Sequence, residues 1–426
     1  MIDVIDDDVA DDDTSSTDDD GLADIPPWTR PCAAPRYWPL SIRSLTRPVI
    51  VHFRGPDEEP VARDALRFLE DAWALEIDEL GFTEPPPDGG ACGPDDAFDV
   101  FLWKGNIGCY VDIASESIVT AWGGRPSFML LDPWGPYGGD LLPSLVGHEF
   151  HHASQAADDW YEIGVSFEMS ATYIEEMFDF PCAECVADFQ AHPDWSLLRY
   201  DNYRTWFMYG AALYLHGLRD AYFGGEDDFL AEVWRRSRND PDPFSNEPDY
   251  VDAIDALLGE RTGANFLDSV VTFARWRWYA GSRDDGAHFR AWTDDKNQIP
   301  FLPEADLAPT QRVRTDATQL RIRPAPMMLG SAYIEIRRGA LDPAAVAVAV
   351  GGPGDESARV AAQIIPGDGA DGDVLNLDAH PVIDLAVGES KVLVLTVLPV
   401  GAFEADALTD RRYNLTLRMT PEEPAP

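Results

Sequence analysis

The sequence predicts an α+β molecule in two parts, a mixed sheet with a mostly helical C-terminal lobe, and a β-sandwich behind it. Three observations carry this. Apolar runs of strand length surround one helical stretch before residue 135. From 141 to about 280, apolar residues recur at three- and four-residue spacing. After 300 the pattern shortens to strands separated by Gly, Pro and Asp. A chain of 426 residues is long for one compact domain. It divides into an acidic tether (1–26), an α+β domain (27–300) and the β-sandwich (310–422).

Ten of the first twenty residues are Asp, a density at which like charges cannot pack, so 1–26 is expected to be solvated. Residues 25–45 hold five prolines and are expected to be extended and irregular. A buried strand follows at 48–53. Residues 60–80 have helical periodicity, closed by Gly81 at the C′ position. Strands are expected at 98–103 and 127–131. A helix opens at Leu141, Leu142 and Pro143, with Pro143 in its first turn. Further helical stretches cover 165–178, 203–222, 226–237, 248–258 and 263–280. Short strands then fall at 320–323, 332–336, 346–350, 392–397 and 413–417.

Composition excludes several roles. With 45% hydrophobic residues and 11% aromatic, the chain can bury a substantial core. The net charge of −44 repels nucleic acid and anionic membrane surfaces. No apolar run is long enough to span a membrane, and the opening residues do not read as a signal peptide. An acidic tether before a folded domain fits the mature N-terminus of an exported bacterial protein, so a secreted or cell-envelope location is expected. Oligomeric state is not legible. Five cysteines make no disulfide framework. Cys182 and Cys185 form a C-x-x-C that reads as a local disulfide, two free thiols, half a metal site or a redox pair. Cys92 with Cys109 is a candidate bridge, leaving Cys32 over.

The chemistry sits at 148–152, where His148, Glu149 and His152 form H-E-x-x-H inside the expected helix. Residues i and i+4 of a helix face the same way one turn apart, so two imidazoles reach a single zinc ion. Glu149 then stands beside the metal as a general base for its water. His151 points off that face and reads as structural. Catalytic zinc takes three protein ligands and keeps one position open. No His stands six residues past His152, and Glu168 opens one face of the next helix, where Ala171 and Thr172 permit close approach. Glu168 is the expected third ligand. Glu162, near the connection, and Glu175, two turns further on, are the competitors; Glu175 is also a candidate partner for a ligating imidazole.

H-E-x-x-H followed by a Glu on a later helix resembles the gluzincin arrangement of zinc metallopeptidases. More narrowly, residues 146–155 and 168–176 resemble metallopeptidases defined by sequence in myxobacteria and related bacteria, which pair H-E-[FY]-x-H with an E-x-x-A-T-W helix. Tyr173 departs from the Trp, and residues 209–215 are similar too. The resemblance covers about 45–280 and implies a zincin-like fold and zinc-dependent endopeptidase activity on a peptide or protein substrate. It further implies a Tyr or His donor for the oxyanion, with Tyr209 and His216 as the candidates. It implies an edge strand before the active-site helix that pairs with extended substrate, a place occupied by 127–131. Rival readings are an inactive or latent zincin serving as a surface scaffold, and a zinc amidase acting on cell-wall peptides.

Overall fold

The computed structural model describes residues 32, 37–105, 109–239, 246–292, 298–365, 373–375 and 381–422; the tether expected over 1–26 lies outside them. The molecule is a mixed α+β structure. Its first sheet has five strands, β1 (Leu40–Arg43), β2 (Val49–Phe53), β3 (Phe98–Leu102), β4 (Tyr110–Ile113) and β5 (Ser127–Leu131), in the order β1-β2-β3-β5-β4. The three inner strands are parallel, and β1 and β4 run antiparallel along the edges. Every residue of the inner strands is buried, as a sheet covered on both faces requires.

Both edge strands depart from the sequence expectation. β1 lies inside the Pro-rich stretch expected to be irregular; Pro39 comes just before its first residue and leaves its ladder intact. β4 was not expected, because its four residues, three half-buried and Asp112 exposed, carry too short an apolar pattern. Its presence moves Ser127–Leu131 to the interior, between β3 and β4. The strand expected to be the edge therefore has both ladders filled, and among the described strands Tyr110–Ile113 is the outermost on that side.

Helix α1 (Glu59–Trp73) connects β2 to β3 and buries Ala62, Ala65, Leu69, Ala72 and Trp73. The next six residues, Ala74–Glu79, wind with π geometry and hold Glu76 fully buried. Gly81, at φ 79°, ends the segment where the expected C′ glycine stands. α2 (Leu142–Asp158) lies on the sheet, with Leu142, Val146, Phe150 and Ala153 in one apolar cluster with Val49, Val100 and Met129.

The helical lobe continues with α3 (Gly164–Glu175), α4 (Ala183–Ala191), α5 (Phe207–Gly210), α6 (Ala212–Tyr222), α7 (Phe229–Arg236), α8 (Tyr250–Thr262) and α9 (Phe266–Trp276). α4 was not among the expected helices, and the stretch expected as one helix from 203 starts at Phe207 and is interrupted at Ala211. Disulfides join Cys32 to Cys92 and Cys182 to Cys185, and Cys109 is free and buried. The candidate bridge Cys92–Cys109 fails because the two thiols belong to opposite sides of the sheet. Cys92 packs with Phe101, Phe128 and Leu130, whereas Cys109 packs with the alternate residues Val100, Met129 and Leu131.

After residue 310 come β6 (Gln311–Arg314), β7 (Gln319–Arg321), β8 (Ser331–Arg337), β9 (Ala345–Gly351), β10 (Ala358–Ile365), β11 (Asp373–Leu375), β12 (Val382–Asp384), β13 (Ser390–Pro399) and β14 (Thr416–Glu422). They form two sheets, ordered β11-β10-β13-β8-β6 and β12-β9-β14-β7. Ile334, Leu393 and Leu395 of the first and Val346, Val348 and Leu417 of the second share one apolar cluster. That cluster runs on without a break into α3, α6 and α9 through Met169, Leu213 and Phe273. Polar ties reinforce the junction: Tyr333 donates to the Ala274 carbonyl (2.5 Å) and Gln363 to the Val271 carbonyl (2.6 Å).

Candidate metal centre

α2 carries two stripes. Val146, Phe150 and Ala153 face the sheet, and at 3.6 residues per turn the stripe His148, His152 and Gln155 lies on the opposite side, toward α3. The helices pack directly against each other. Gly147 makes room beside His148, since a Cβ there would run into the Phe178 ring that follows α3.

Glu168 of α3 meets both imidazoles. His148 Nε2 and His152 Nε2 are 3.2 Å apart, and Glu168 Oε2 lies 3.3 Å from the first and 3.7 Å from the second. With zinc–nitrogen bonds of 2.0–2.1 Å, the edge of a regular tetrahedron is about 3.3–3.4 Å. The three atoms thus form one face of a zinc-sized tetrahedron. Glu168 Oε2 is buried without a hydrogen-bond partner, as an acceptor kept for a cation would be. The donor set, two imidazoles and a carboxylate, is that of a catalytic zinc site.

The far side of each imidazole is held. Glu175 Oε2 lies 2.9 Å from His148 Nδ1, and Gln155 Oε1 lies 2.6 Å from His152 Nδ1. Gln155 in turn donates from Nε2 to the Phe167 carbonyl (3.0 Å) and to Ser170 Oγ (2.6 Å), both on α3. With an acceptor against each Nδ1, the tautomer protonated at Nδ1 leaves each Nε2 able to serve a cation held between His148, His152 and Glu168. Gln155→Ala and Glu175→Gln should each weaken zinc affinity by about 10–100-fold, measured against a competing chelator, with the fold retained by circular dichroism. Affinity within a factor of two of the parent would remove the positioning role.

Glu149 is buried, and its Oε2 has no hydrogen-bond partner. Burial pushes its carboxyl up to about 8, with Glu168 and Glu175 adding to the rise against an opposing pull from His148. A group so placed accepts a proton readily near neutrality. Glu168 goes the other way; burial would raise it, and His152 and His148 outweigh that and hold it below the usual range.

Of the two oxyanion candidates, Tyr209 is at this site, its ring 6.1 Å from that of His148. Burial and the surrounding carboxylates keep its hydroxyl protonated, hence a donor. Its helix α5 can approach α4 because Gly210 faces the Cys185 carbonyl, where no side chain would fit. His216 lies elsewhere. It is fully buried, bonded through Nε2 to Glu176 (3.1 and 3.2 Å) and packed on Tyr173 and Trp292. None of those contacts is with the metal-type ligands, so His216 takes no further part here. His151 faces away as expected, with Nδ1 2.9 Å from Glu76 Oε2 in the core. Glu162 stands in the connection before α3 and bonds the Ile163 amide there, not His148, His152 or Glu168.

Two residues at the site escaped the sequence reading of roles. Gln155 was detectable, because it stands three residues after His152 on the same helical face. Tyr203, which helps to hold the Glu168 carboxyl below the usual range, had no such signal. It comes from the loop before α5, where Asn202 and Tyr203 both have left-handed backbone (φ 56° and 57°).

No protein-family model matches the chain, and no curated protein matches it.

Proposed function

We propose that the chain is a zinc-dependent endopeptidase of the gluzincin kind, with His148, His152 and Glu168 as ligands and Glu149 as general base. The observation that supports it most is the Nε2–Nε2–Oε2 triangle at tetrahedral-edge spacing, backed by a carboxylate acceptor on one imidazole and an amide on the other. Zinc at that position would acidify a water molecule and polarise a peptide carbonyl. Glu149 takes the proton from water as its oxygen bonds to the carbonyl carbon, then delivers it to the amide nitrogen as the C–N bond breaks. Tyr209 donates to the carbonyl oxygen as charge gathers there.

The two C-terminal sheets form a β-sandwich, and the two disulfides favour an oxidising, exported location. The test is metal content together with hydrolysis of an unfolded protein such as casein. One zinc per chain with chelator-sensitive cleavage is expected; a chain that takes up no zinc ends the proposal.

A further inference from the structure

Cys182 and Cys185 close a covalent ring over the first turn of α4. Cys182 is the N-cap, and its Sγ accepts from the Cys185 amide (3.3 Å). The two residues differ in access: Cys182 is half-buried, whereas Cys185 is 1% exposed. An incoming thiolate therefore meets Cys182, and a thiolate formed there is stabilised by the helix N-terminus.

α4 is also the support of α5. Asp188 Oδ2 accepts from the Trp206 amide (2.9 Å) at the start of α5, and the Phe189 and Phe207 rings lie 4.9 Å apart. A Cβ on Gly210 would come within 2.2 Å of the Cys185 carbonyl oxygen, so the two backbones touch at this point. Between Trp206 and Gly210 stands Tyr209, its ring 5.5 Å from that of Trp206 and 6.1 Å from that of His148. The far end of α4 is fixed by other means. Arg277 donates to the Phe189 carbonyl and to Gln190 Oε1 (both 2.8 Å), and Gln190 donates to the Ala305 carbonyl (2.5 Å). The near end, which carries the Cys185 carbonyl, is closed by the disulfide, and helix ends fray unless tied.

We propose that the Cys182–Cys185 disulfide is a thiol-operated switch on the candidate metal centre, setting the place of Tyr209 through α4 and α5. The role of Tyr209 is that of the proposed peptidase, so the inference rests on that reading. The reductant is a dithiol. One of its thiolates attacks Cys182 Sγ, and the S–S bond breaks as Cys185 leaves with the electron pair and takes a proton. The second thiolate then attacks the reductant's own sulfur in the mixed disulfide and releases Cys182. Two electrons pass to the protein, leaving two cysteine thiols and one oxidised dithiol. With the ring open, the first turn of α4 loosens, the Cys185 carbonyl no longer holds Gly210, and Tyr209 loses its fixed place beside His148. The peptidase is thus slow in a reducing compartment and reaches full rate once oxidised, which suits an enzyme exported after synthesis.

The test uses the full chain, with a phosphine as reductant in place of a dithiol that would itself compete for zinc. Under native conditions the phosphine should open Cys182–Cys185, as read by alkylation and peptide mass. The opened chain should keep its zinc and hold KM within about twofold, while kcat falls about tenfold, part of the roughly 10²–10³-fold that one oxyanion donor contributes. Amides of 206–210 should exchange with deuterium about tenfold faster. Cys182→Ser/Cys185→Ser keeps Cys32–Cys92 closed and puts a favoured cap at the head of α4, so it should fold and match the opened parent without reductant. In Tyr209→Phe, opening the bond should cost less than about twofold more, because the group it positions is already gone. Unchanged kcat and exchange on opening, a bond that opens only on unfolding, or the same tenfold loss in Tyr209→Phe would each overturn the switch. A chain that holds no zinc even when oxidised would end the peptidase reading instead, and exchange at 206–210 would still decide whether the disulfide holds α5.

Discussion

Glu149→Gln should bind zinc as the parent does and hydrolyse peptide bonds about 10²–10⁴-fold more slowly, the range that a positioned proton acceptor contributes. The substitution keeps size and removes the basic oxygen. It also relieves a buried group that burial and two neighbouring carboxylates have pushed up to about 8, so the variant should be at least as stable as the parent. The measurement pairs turnover of a fluorogenic peptide with zinc content by mass spectrometry on the same sample. Turnover within a few-fold of the parent would show that Glu149 is not the base. Turnover and zinc lost together would make it a structural residue of the site.

Glu168→Ala should have the opposite signature, with the metal going first and activity following. Outer partners of a zinc ligand are worth about 10–100-fold in affinity, so loss of a direct ligand should exceed about 100-fold. Stability reports the same event, because zinc at 100 times its Kd adds about 2.7 kcal/mol to the folded state. The parent Tm should therefore fall on chelation, while that of Glu168→Ala should scarcely respond. A variant that keeps one tightly held zinc would pass the ligand role to another group, and Glu175, already against His148 Nδ1, would be the first to examine.

What the sequence made legible at this site was spacing along single helices. His148 and His152 are one turn apart, Glu149 lies between them, and Glu168 leads the face of the next helix. The sequence left Glu168 and Glu175 in competition because both occupy that face; the structure separates them, placing one against the two Nε2 atoms and the other against Nδ1. Features that depend on pairing between distant segments were not legible. β4 carries only four residues with a weak pattern, yet it decides that β5 is interior. Tyr209 and His216 share a spacing that suggested a common face, but Ala211 interrupts the helix between them, and His216 finds Glu176 in the core. Tyr203 acts on Glu168 by way of a backbone turn that no periodicity announces. In the C-terminal part, long apolar runs such as the one in β13 were visible. β10 was not, since Arg359 and Gln363 break up its apolar pattern.

The apolar cluster that passes from the helices into the C-terminal sheets has a mechanical consequence. Phe273 and Val270 of α9 share it with Leu393 and Leu395 of β13, and Tyr333 reaches across to α9 with its hydroxyl. A chain shortened near residue 310, where composition changes most visibly, would bare this joint to water rather than release a finished unit. The sheets therefore act as a brace against the back of the lobe that supplies Glu168 and Tyr209. Loosening them from outside, by force or by a partner prising at their edges, would be felt at α3 and α6 without any contact with His148, His152 or Glu168.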